Sequence, residues 1–417
     1  MDDVLVVGGG AAGMFAAWRA ASLGAATRLL EKNDRLGLKI HISGGGKCNI
    51  THGGDMESLR KAFAPDEARF LAHSFRQFTN EDVLQMLRRR GVSVHTRPDG
   101  RVFPDSGRAD DVVDGIAHYL TAVGVKMEPG AGVTGLAREG DRVTGAWVGG
   151  LLYPARTTIL CVGGSSYPKT GTTGEGYRWA RELGHTLVPL RSALAPMYLA
   201  EGARPDYSGV ALRECVLRGR SGGKEIARWR GDLLFTHQGV SGPNALGISR
   251  AVARAMEHGE AILDVDIHPD VAQEVLAVRF AEAHAAGRRL VSTLLAEWLP
   301  ERLIPEALQR AEIPPEMLVH QLPRKNRNRL VDVLKRWELG RVRAVPLERG
   351  EVTAGGVALE EVDPRTMVSR KLRGLYFAGE ILDVAGPVGG YNLQAAFSTG
   401  YVAGESAARE VLPDKSP

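Results

Sequence analysis

The start of the chain carries the feature that most restricts its fold. Apolar residues 4–7 run directly into the sequence GGGAAG at residues 8–13, and Glu31 follows eighteen residues later. A short strand, a G-x-G-x-x-G turn, a helix and a second strand that ends in an acid are typical of a dinucleotide-binding βαβ unit. Gly10 would let a pyrophosphate approach the backbone amides at the positive end of the helix. Glu31 can accept hydrogen bonds from ribose hydroxyls, and the unit alone leaves FAD and NAD(P) both open.

Length and composition are those of a globular protein of two or three domains. The chain has 417 residues, of which 44% are hydrophobic and 24% charged, which is enough for a full core. No apolar run has the length of a membrane span, and the N-terminus shows no secretory signal pattern. Three cysteines are too few for a disulfide framework. We therefore expect a cytoplasmic protein with no membrane partner.

The order of the patterns predicts an α/β fold, a Rossmann-like FAD-binding domain split by an insertion. Strand and helix patterns alternate through residues 1–190, which form the first part of that domain. Residues 191–269 are predicted to be a β-rich inserted domain, and residues 270–344 a helical one that carries a basic run. Glycine-rich α/β character returns in residues 345–417, which complete the FAD-binding domain.

A glycine-rich loop at residues 39–49, KIHISGGGKCN, follows the first βαβ unit. It lacks the glycine and hydroxyl positions of a P-loop, which excludes an NTPase. Backbone amides beside Lys47 still suit a pyrophosphate or the polar edge of a flavin. Cys48 stands between a lysine and these amides, which would favour its thiolate and a catalytic role. The alternative for Cys48 is a small packing residue.

Three further glycine-rich segments follow predicted strands, where open α/β sheets bind ligands. Gly163 and Gly164 end one strand, and His237 lies in a second segment at residues 233–243. His237 could act as an acid, bind substrate or simply occupy a turn. The third segment, residues 374–396, contains Asp383 and the sequence GGYNLQ, which opens the last predicted helix. The positive end of that helix suits the electron-rich edge of an isoalloxazine, which favours FAD.

Several other functions lack their motifs. The chain contains no G-x-S-x-G, no H-E-x-x-H and no C-x-x-C, so hydrolase, metalloprotease and disulfide reductase functions have no support. It contains no second fingerprint with a trailing acid, which leaves NAD(P)H as a transient electron donor rather than a resident cofactor. Asp264, Asp266 and His268 alternate along one strand without a fourth ligand, so a solvated strand face is favoured over a metal site.

The net charge is only +4, but basic residues cluster between positions 324 and 343. Such a run is either a solvated face or a phosphate-binding surface for RNA. The residues that would contact ribosomal RNA are Arg324, Lys325, Arg327, Arg329, Lys335 and Arg336.

Taken together, these segments resemble the YhiN/BaiN-like family of FAD-binding NAD(P)/FAD-dependent oxidoreductases. The resemblance lies at residues 6–13, 43–49, 101–104, 163–164, 235–243, 352–357 and 379–394. The loop SGGGKCN and the closing GGYNLQ are its most specific parts, although the family's loop more often has arginine where this chain has Lys47. The resemblance implies a split FAD domain, a small β-rich domain and a helical cap. Members have been linked to the reduction of uracil in ribosomal RNA to dihydrouridine, and others to steps of bile acid reduction.

The resemblance also implies which residues hold FAD, namely Gly8, Gly10, Gly13, Glu31, Lys32, Lys47, Gly379, Asp383 and Asn392. Further FAD contacts are expected at Ala12, Lys39, Ser43, Gly44, Gly45, Cys48, Asn49, Val133, Gly163, Gly164, Glu380, Gly390, Tyr391 and Leu393.

The sequence thus predicts an FAD-dependent oxidoreductase that passes hydride from flavin N5 to an activated C=C bond, with uridine in ribosomal RNA as the favoured substrate. Cys48 or His237 would supply the proton. Two alternatives stay open. The protein could be a small-molecule ene-reductase or dehydrogenase, or an FAD-binding redox or assembly module without turnover.

Overall fold

The computed structural model describes residues 1–201, 205–285 and 288–413. It divides into two compact units, one formed by Met1–Leu190 with Val352–Pro417 and the other by Arg191–Glu351. The strands are β1 Asp2–Val7, β2 Thr27–Leu30, β3 Thr51–His52, β4 Val94–Thr96, β5 Arg101–Pro104, β6 Lys126–Glu128, β7 Val133–Glu139, β8 Arg142–Val148, β9 Leu151–Leu160, β10 Leu187–Ala193, β11 Met197–Leu199, β12 Ala211–Ser221, β13 Lys224–Phe235, β14 Gly239–Ser241, β15 Ile262–Asp266, β16 Trp337–Ala344, β17 Val352–Val357 and β18 Leu375–Phe377. The helices are α1 Ala11–Ser22, α2 Leu38–Gly46, α3 Met56–Lys61, α4 Pro65–Gln77, α5 Asn80–Arg89, α6 Ala109–Ala122, α7 Glu175–Glu182, α8 Pro243–Ala255, α9 Gln273–Ala285, α10 Val291–Leu295, α11 Ile304–Arg310, α12 Arg324–Lys335 and α13 Tyr391–Val411.

The first unit is built on a parallel sheet with the strand order β6-β2-β1-β9-β18. Strand β1 lies at its centre, and its residues 4–7 are at most 2% exposed, as expected for a strand covered on both faces. The order is that of a Rossmann sheet, in which ligands bind beyond the carboxyl ends of the strands. This confirms the predicted fold class.

The two halves of strand β9 pair with different strands of one sheet. Its first half pairs antiparallel with β8, which pairs with β7, and its second half lies parallel between β1 and β18. The antiparallel strands β7 and β8 therefore extend the main sheet. A separate three-stranded sheet, β3-β5-β4, contains a hairpin that turns around Asp99-Gly100.

Helix α13 packs closely on α1. A Cβ atom added at Gly400 would lie 2.2 Å from the carbonyl oxygen of Ala12, and one at Gly404 would lie 2.2 Å from that of Ala16. These two glycines let the helix backbones touch. Since Ala12 and Ala16 belong to α1, this contact fixes α13 against the first βαβ unit.

The second unit contains a closed barrel of six strands in the order β11-β14-β13-β12-β15-β16, together with helices α8 to α12. The predicted boundaries differ here, since the sequence pattern divides the insertion after residue 269 and ends it at 344. In the structure β16 pairs with both β15 and β11, so the strand after the helices belongs to the barrel. The unit continues to Glu351.

The predicted solvated face at Asp264 is wrong. Asp264 is 2% exposed, and its carboxylate binds Arg218 Nε at 2.7 Å and Arg220 Nε at 2.6 Å. Two guanidinium groups compensate the desolvation of the buried charge. Asp266 forms an ion pair with Lys335 at 2.8 Å, and the described residues contain no cluster of three metal-ligating side chains.

Among the described residues, no helix combines the length and the apolar character that crossing a lipid bilayer requires.

Candidate functional site

The three glycines of the N-terminal turn have different surroundings. Gly8 has φ +102°, and a Cβ at Gly13 would lie 1.8 Å from the Gly8 carbonyl oxygen. Gly13 is therefore required by the packing of α1 on its own turn. A Cβ at Gly10 would meet no described atom within 4 Å, so open space lies in front of the helix.

The N-terminus of α1 suits a pyrophosphate. Its N-cap is Gly10, no side chain caps it and its first turn contains no acidic residue. The amide groups at this end lack intrahelical partners, and the helix dipole makes their surroundings positive. Bare amides beside open space are the arrangement that binds phosphate groups, so the residues present fit the ADP half of FAD.

Glu31 lies beside this turn with 8% exposure. One carboxylate oxygen accepts a hydrogen bond from Gly9 N at 2.7 Å, and the other accepts one from Asn33 N at 2.8 Å. The second oxygen also accepts a hydrogen bond from Asn33 Nδ2 at 2.5 Å, so the oxygen that binds Gly9 N is the one that keeps a lone pair for a ribose hydroxyl. Lys32 binds Glu175 at 2.9 Å. The backbone N of Ala131 donates a hydrogen bond to the backbone oxygen of Glu31 at 2.8 Å. Val133, the first residue of β7, follows two residues later.

The loop around Gly44 ends α2 instead of forming a separate turn. Ser43 leaves the helical conformation, and Gly44 and Gly45 have left-handed φ values of +58° and +69°. A Cβ at Gly44 would lie 3.0 Å from the Phe103 ring, which places this loop against the β4–β5 hairpin. Lys47 is exposed after the loop.

The predicted thiolate at Cys48 is wrong. Its side chain is 0% exposed, and burial raises the pKa of the thiol to about 12. The neighbouring lysine points to solvent, so desolvation dominates. Cys48 fills the core of the first unit, as the alternative proposed.

Lys39 and Glu380, both predicted FAD contacts, form an ion pair at 2.6 Å. Glu380 also accepts hydrogen bonds from Ser166 Oγ at 3.1 Å and Thr353 N at 2.9 Å. A Cβ at Gly164 would lie 2.6 Å from the Glu380 carboxylate. The cluster thus ties helix α2 and strand β17 to the segments that follow β9 and β18. Gly163 lies beside it with φ +72°.

In the C-terminal segment of residues 374–396, side chains bind backbone groups of this segment and of β17. Gly379 N donates to Thr399 Oγ1 at 3.0 Å, and Asp383 accepts from Gly355 N at 2.9 Å. Asn392 accepts from Gly386 N at 2.8 Å and donates to Gly386 O at 3.0 Å. Asn392 therefore shapes the loop.

Helix α13 begins at a second glycine N-cap. Gly390 has φ +92°, provides no capping side chain of its own, and no acid lies in the first turn. The Asn49 amide, oriented so that both of its polar atoms are satisfied, accepts from Gly390 N at 2.9 Å. Tyr391 and Leu393 lie half-buried in the first turn. Asn49 therefore links the Gly44 loop to the start of α13. The positive end of this helix suits the polar edge of a flavin.

The remaining predicted residues lie in the second unit. His237 is exposed in the turn between β13 and β14. The basic run divides into two groups, because Arg329 pairs with Glu312 and Lys335 with Asp266. The members without an acidic partner within 4.0 Å in the described ranges are Arg324, Lys325 and Arg327. Arg336 lies 4.0 Å from Asp264 and is 66% exposed.

Thr353 and His52 belong to the site although no motif predicted them. Thr353 Oγ1 accepts a hydrogen bond from Ser165 N at 2.8 Å, and the His52 ring stacks on Tyr391 at 4.7 Å. Thr353 lies in the segment 352–357 that carries part of the family resemblance, and this was a signal for it. His52 follows the SGGGKCN loop without any motif of its own.

Comparison with known proteins finds a match over nearly the whole chain. The family model described as "HI0933-like protein Rossmann domain" matches residues 2–406. The ribosomal RNA dihydrouridine synthase of Escherichia coli is 30% identical over 417 residues, which cover 99% of each chain. The 3-dehydro-bile acid delta(4,6)-reductase of Clostridium scindens is 31% identical over 420 residues, covering 98% of this chain and 99% of the relative.

Solved structures support the fold. The 3-ketosteroid delta1-dehydrogenase of Sterolibacterium denitrificans superposes with a TM-score of 0.53 at 16% identity, over 98% of this chain and 99% of that one. A quinol fumarate reductase subunit of Escherichia coli gives a TM-score of 0.52 at 16% identity, over 98% of this chain and 70% of the other.

Proposed function

The chain belongs to the HI0933-like family of FAD-binding oxidoreductases, and on that basis we propose that it reduces an activated C=C bond in uridine of ribosomal RNA. FAD, when bound, supplies the hydride, and NAD(P)H supplies the electrons from solution. The relatives named for dihydrouridine synthesis and for bile acid reduction are about equally similar to this chain. Sequence identity to these relatives therefore does not distinguish a nucleotide substrate from a steroid substrate.

The residues of the first unit have distinct tasks in this proposal. The amides at the start of α1 bind the pyrophosphate in the space before Gly10, and Glu31 binds the ribose hydroxyls. The amides at the start of α13 would stabilise negative charge at the pyrimidine edge of the reduced flavin. The Lys39–Glu380 pair holds the surrounding loops in register.

The observation that favours RNA is the start of helix α12. Arg324 and Lys325 are exposed, and Arg327 is half-buried. These three cations have no acidic partner within 4.0 Å in the described ranges. Three uncompensated charges within four residues attract a phosphodiester chain, because each contact releases counterions. A steroid offers no such charge density.

The test compares Arg327→Gln with Arg329→Gln, which remove one positive charge from the same helix. RNA affinity is measured as a function of salt concentration with ribosomal RNA from a strain that lacks the protein. We expect Arg327→Gln to lower the slope of log affinity against log salt by about 0.7–0.9, the value for one phosphate contact. Arg329→Gln should change it less, because Glu312 already compensates that charge.

The decisive measurement is dihydrouridine in ribosomal RNA. Loss of the modified base in the deletion strain, and its formation in vitro by the reduced holoenzyme, would support the proposal. Absence of both effects, combined with RNA binding that does not respond to salt, would favour a small-molecule ene-reductase. A yellow protein that neither NAD(P)H nor dithionite can bleach would favour a redox or assembly module.

A further inference from the structure

Reduction of a C=C bond needs a proton as well as a hydride, and of the two residues that the sequence suggests, Cys48 is not its source. The thiol of Cys48 is 0% exposed and lies in the hydrophobic core. Cys161, the other cysteine of the first unit, is also buried. The other candidate, His237, is exposed in the turn between β13 and β14 of the second unit. The start of α13 offers an O–H group within the unit that carries the residues expected to hold FAD. This inference rests on the proposed function.

Tyr391 is the first residue of α13, directly after Gly390. Its ring is held by two aromatic neighbours. His52 stacks on it with ring centres 4.7 Å apart and an interplanar angle of 22°, and Phe63 meets it edge-on at 6.2 Å and 80°. Helix position and ring contacts together fix where the phenol points.

Two glycines make room for this ring. A Cβ at Gly389 would lie 3.0 Å from Tyr391 Cε2, and one at Gly386 would lie 3.0 Å from Tyr391 Cβ. The Gly389 carbonyl also accepts a hydrogen bond from His52 Nδ1 at 3.2 Å, so that the stacked histidine is itself held in place. Gly386 and Gly389 thus leave space for the Tyr391 side chain at the start of α13.

The phenol hydroxyl of Tyr391 is held at the helix start without a hydrogen bond of its own in the described ranges. Tyr119 donates to Met86 O at 2.9 Å and Tyr376 to Glu410 at 2.5 Å, whereas Tyr401 shares with Tyr391 a hydroxyl that has no partner among the described residues but lies further along α13. In the described ranges Tyr391 has no such partner, and burial alone raises its pKa. A locked, half-buried phenol normally finds a partner. Here the partner has to come from solvent or from a ligand, and the phenol stays protonated at neutral pH.

We propose that Tyr391 is the proton donor of the reduction. The O–H bond of the phenol breaks as a C–H bond forms on the carbon that does not receive the hydride from the reduced flavin. The electron pair of the C=C bond becomes that C–H bond, and the resulting phenolate regains a proton from water. His52 and Phe63 act as positioning residues, because they hold the ring without exchanging the proton.

The test compares Tyr391→Phe with Tyr401→Phe. Tyr401 lies on the same helix, is also half-buried and stacks on Phe78 at 4.6 Å, but lies ten residues, or about 15 Å, from the helix start. The holoenzyme is reduced with dithionite, mixed with uridine-containing ribosomal RNA and followed by flavin absorbance. Tyr391→Phe should slow flavin reoxidation by about 10²–10⁴-fold, the usual share of a general acid. Flavin content, flavin spectrum and the rate of dithionite reduction should not change, and Tyr401→Phe should react like the original protein.

Four results separate the possible failures. Reoxidation of Tyr391→Phe at the original rate would overturn the proton-donor assignment, and so would loss of FAD, since that would make Tyr391 a cofactor contact. A wild-type holoenzyme that RNA does not reoxidise would overturn the RNA substrate instead. The same pair of variants is then compared with a small α,β-unsaturated ketone as acceptor. If the wild-type enzyme reduces neither acceptor, both proposals are wrong.

Discussion

Alanine substitutions at Gly10 and Gly13 should separate the ligand role of the N-terminal turn from its structural role. The two glycines lie three residues apart in one motif, but a Cβ at Gly13 would lie 1.8 Å from the Gly8 carbonyl oxygen, and a Cβ at Gly10 would meet no described atom within 4 Å. Gly10 also has φ −83°, which alanine adopts without strain. We therefore expect opposite phenotypes.

The loss of stability expected for Gly13→Ala follows from the lack of space for a Cβ atom at this position. An ordinary carbon–oxygen contact is about 3.3–3.6 Å, so α1 would have to move by about 1.5 Å from its own turn. Overpacking of this kind costs about 1–3 kcal/mol, and a clash between backbone atoms belongs at the upper end. At about 2–4 °C per kcal/mol, the melting temperature should fall by roughly 6–12 °C. At Gly10, the weaker N-cap of alanine is offset by lower entropy of the unfolded chain, so the melting temperature should hardly change.

The assay is thermal unfolding of the apoprotein together with FAD titration by fluorescence quenching. Gly10→Ala should keep its melting temperature within about 2 °C and lose at least about tenfold in FAD affinity, which corresponds to about 1.4 kcal/mol. Gly13→Ala should lose stability before any ligand is added. Equal destabilisation of the two apoproteins, or FAD affinity left intact in Gly10→Ala, would refute this explanation of the motif.

Three further outcomes are expected. Asp264→Asn should destabilise the second unit by about 2–4 kcal/mol in urea unfolding, because it removes a buried carboxylate that binds the partly buried guanidinium groups of Arg218 and Arg220. Asp270→Asn, at an exposed ion pair, should have little effect. Burial lowers the pKa of His185, so the unfolded chain takes up a proton below about pH 6.5 that the folded chain refuses. Stability should therefore fall as the pH drops below 6.5 towards the lower folded pKa, and His185→Phe should flatten that slope. Because burial raises the pKa of Cys48 to about 12, iodoacetamide should label it only after unfolding, and rapid labelling of the native protein would contradict the buried placement.

The parts of the fold that the sequence predicts are those with local signals. Strand β2 ends at Leu30, directly before Glu31, as the fingerprint predicts, and the last helix begins at Tyr391 within GGYNLQ. The division of the insertion is different, because β16 follows the helices and returns to the barrel to pair with β15 and β11. A strand that pairs with partners more than seventy residues away has no local signal that assigns it to their sheet. Periodicity shows that such a strand exists and not where it pairs.

The site follows the same division between local and non-local information. Glycines that approach a ligand or a turn stand out in the sequence, and Gly8, Gly13 and Gly390 lie where the motif predicts them. Burial is not visible in the sequence in this way: Lys47 is exposed, whereas the next residue, Cys48, is 0% exposed. A charge environment inferred from adjacent residues is therefore unreliable wherever the chain turns sharply, as it does at Cys48 with φ +57°.

Charge pairing also changes what the basic run means. Six cations between positions 324 and 336 look equivalent in the sequence, but Lys335 neutralises Asp266 and Arg329 neutralises Glu312. Salt bridges of this kind hold parts of the second unit together and release few counterions on binding RNA. Any attraction for a polyanion is therefore concentrated at the first turn of α12, on Arg324, Lys325 and Arg327. If RNA is the substrate, charge removal along α12 should weaken binding at its first turn and spare it at its last, whereas a diffuse basic face would lose affinity in proportion to charge wherever the substitution is made.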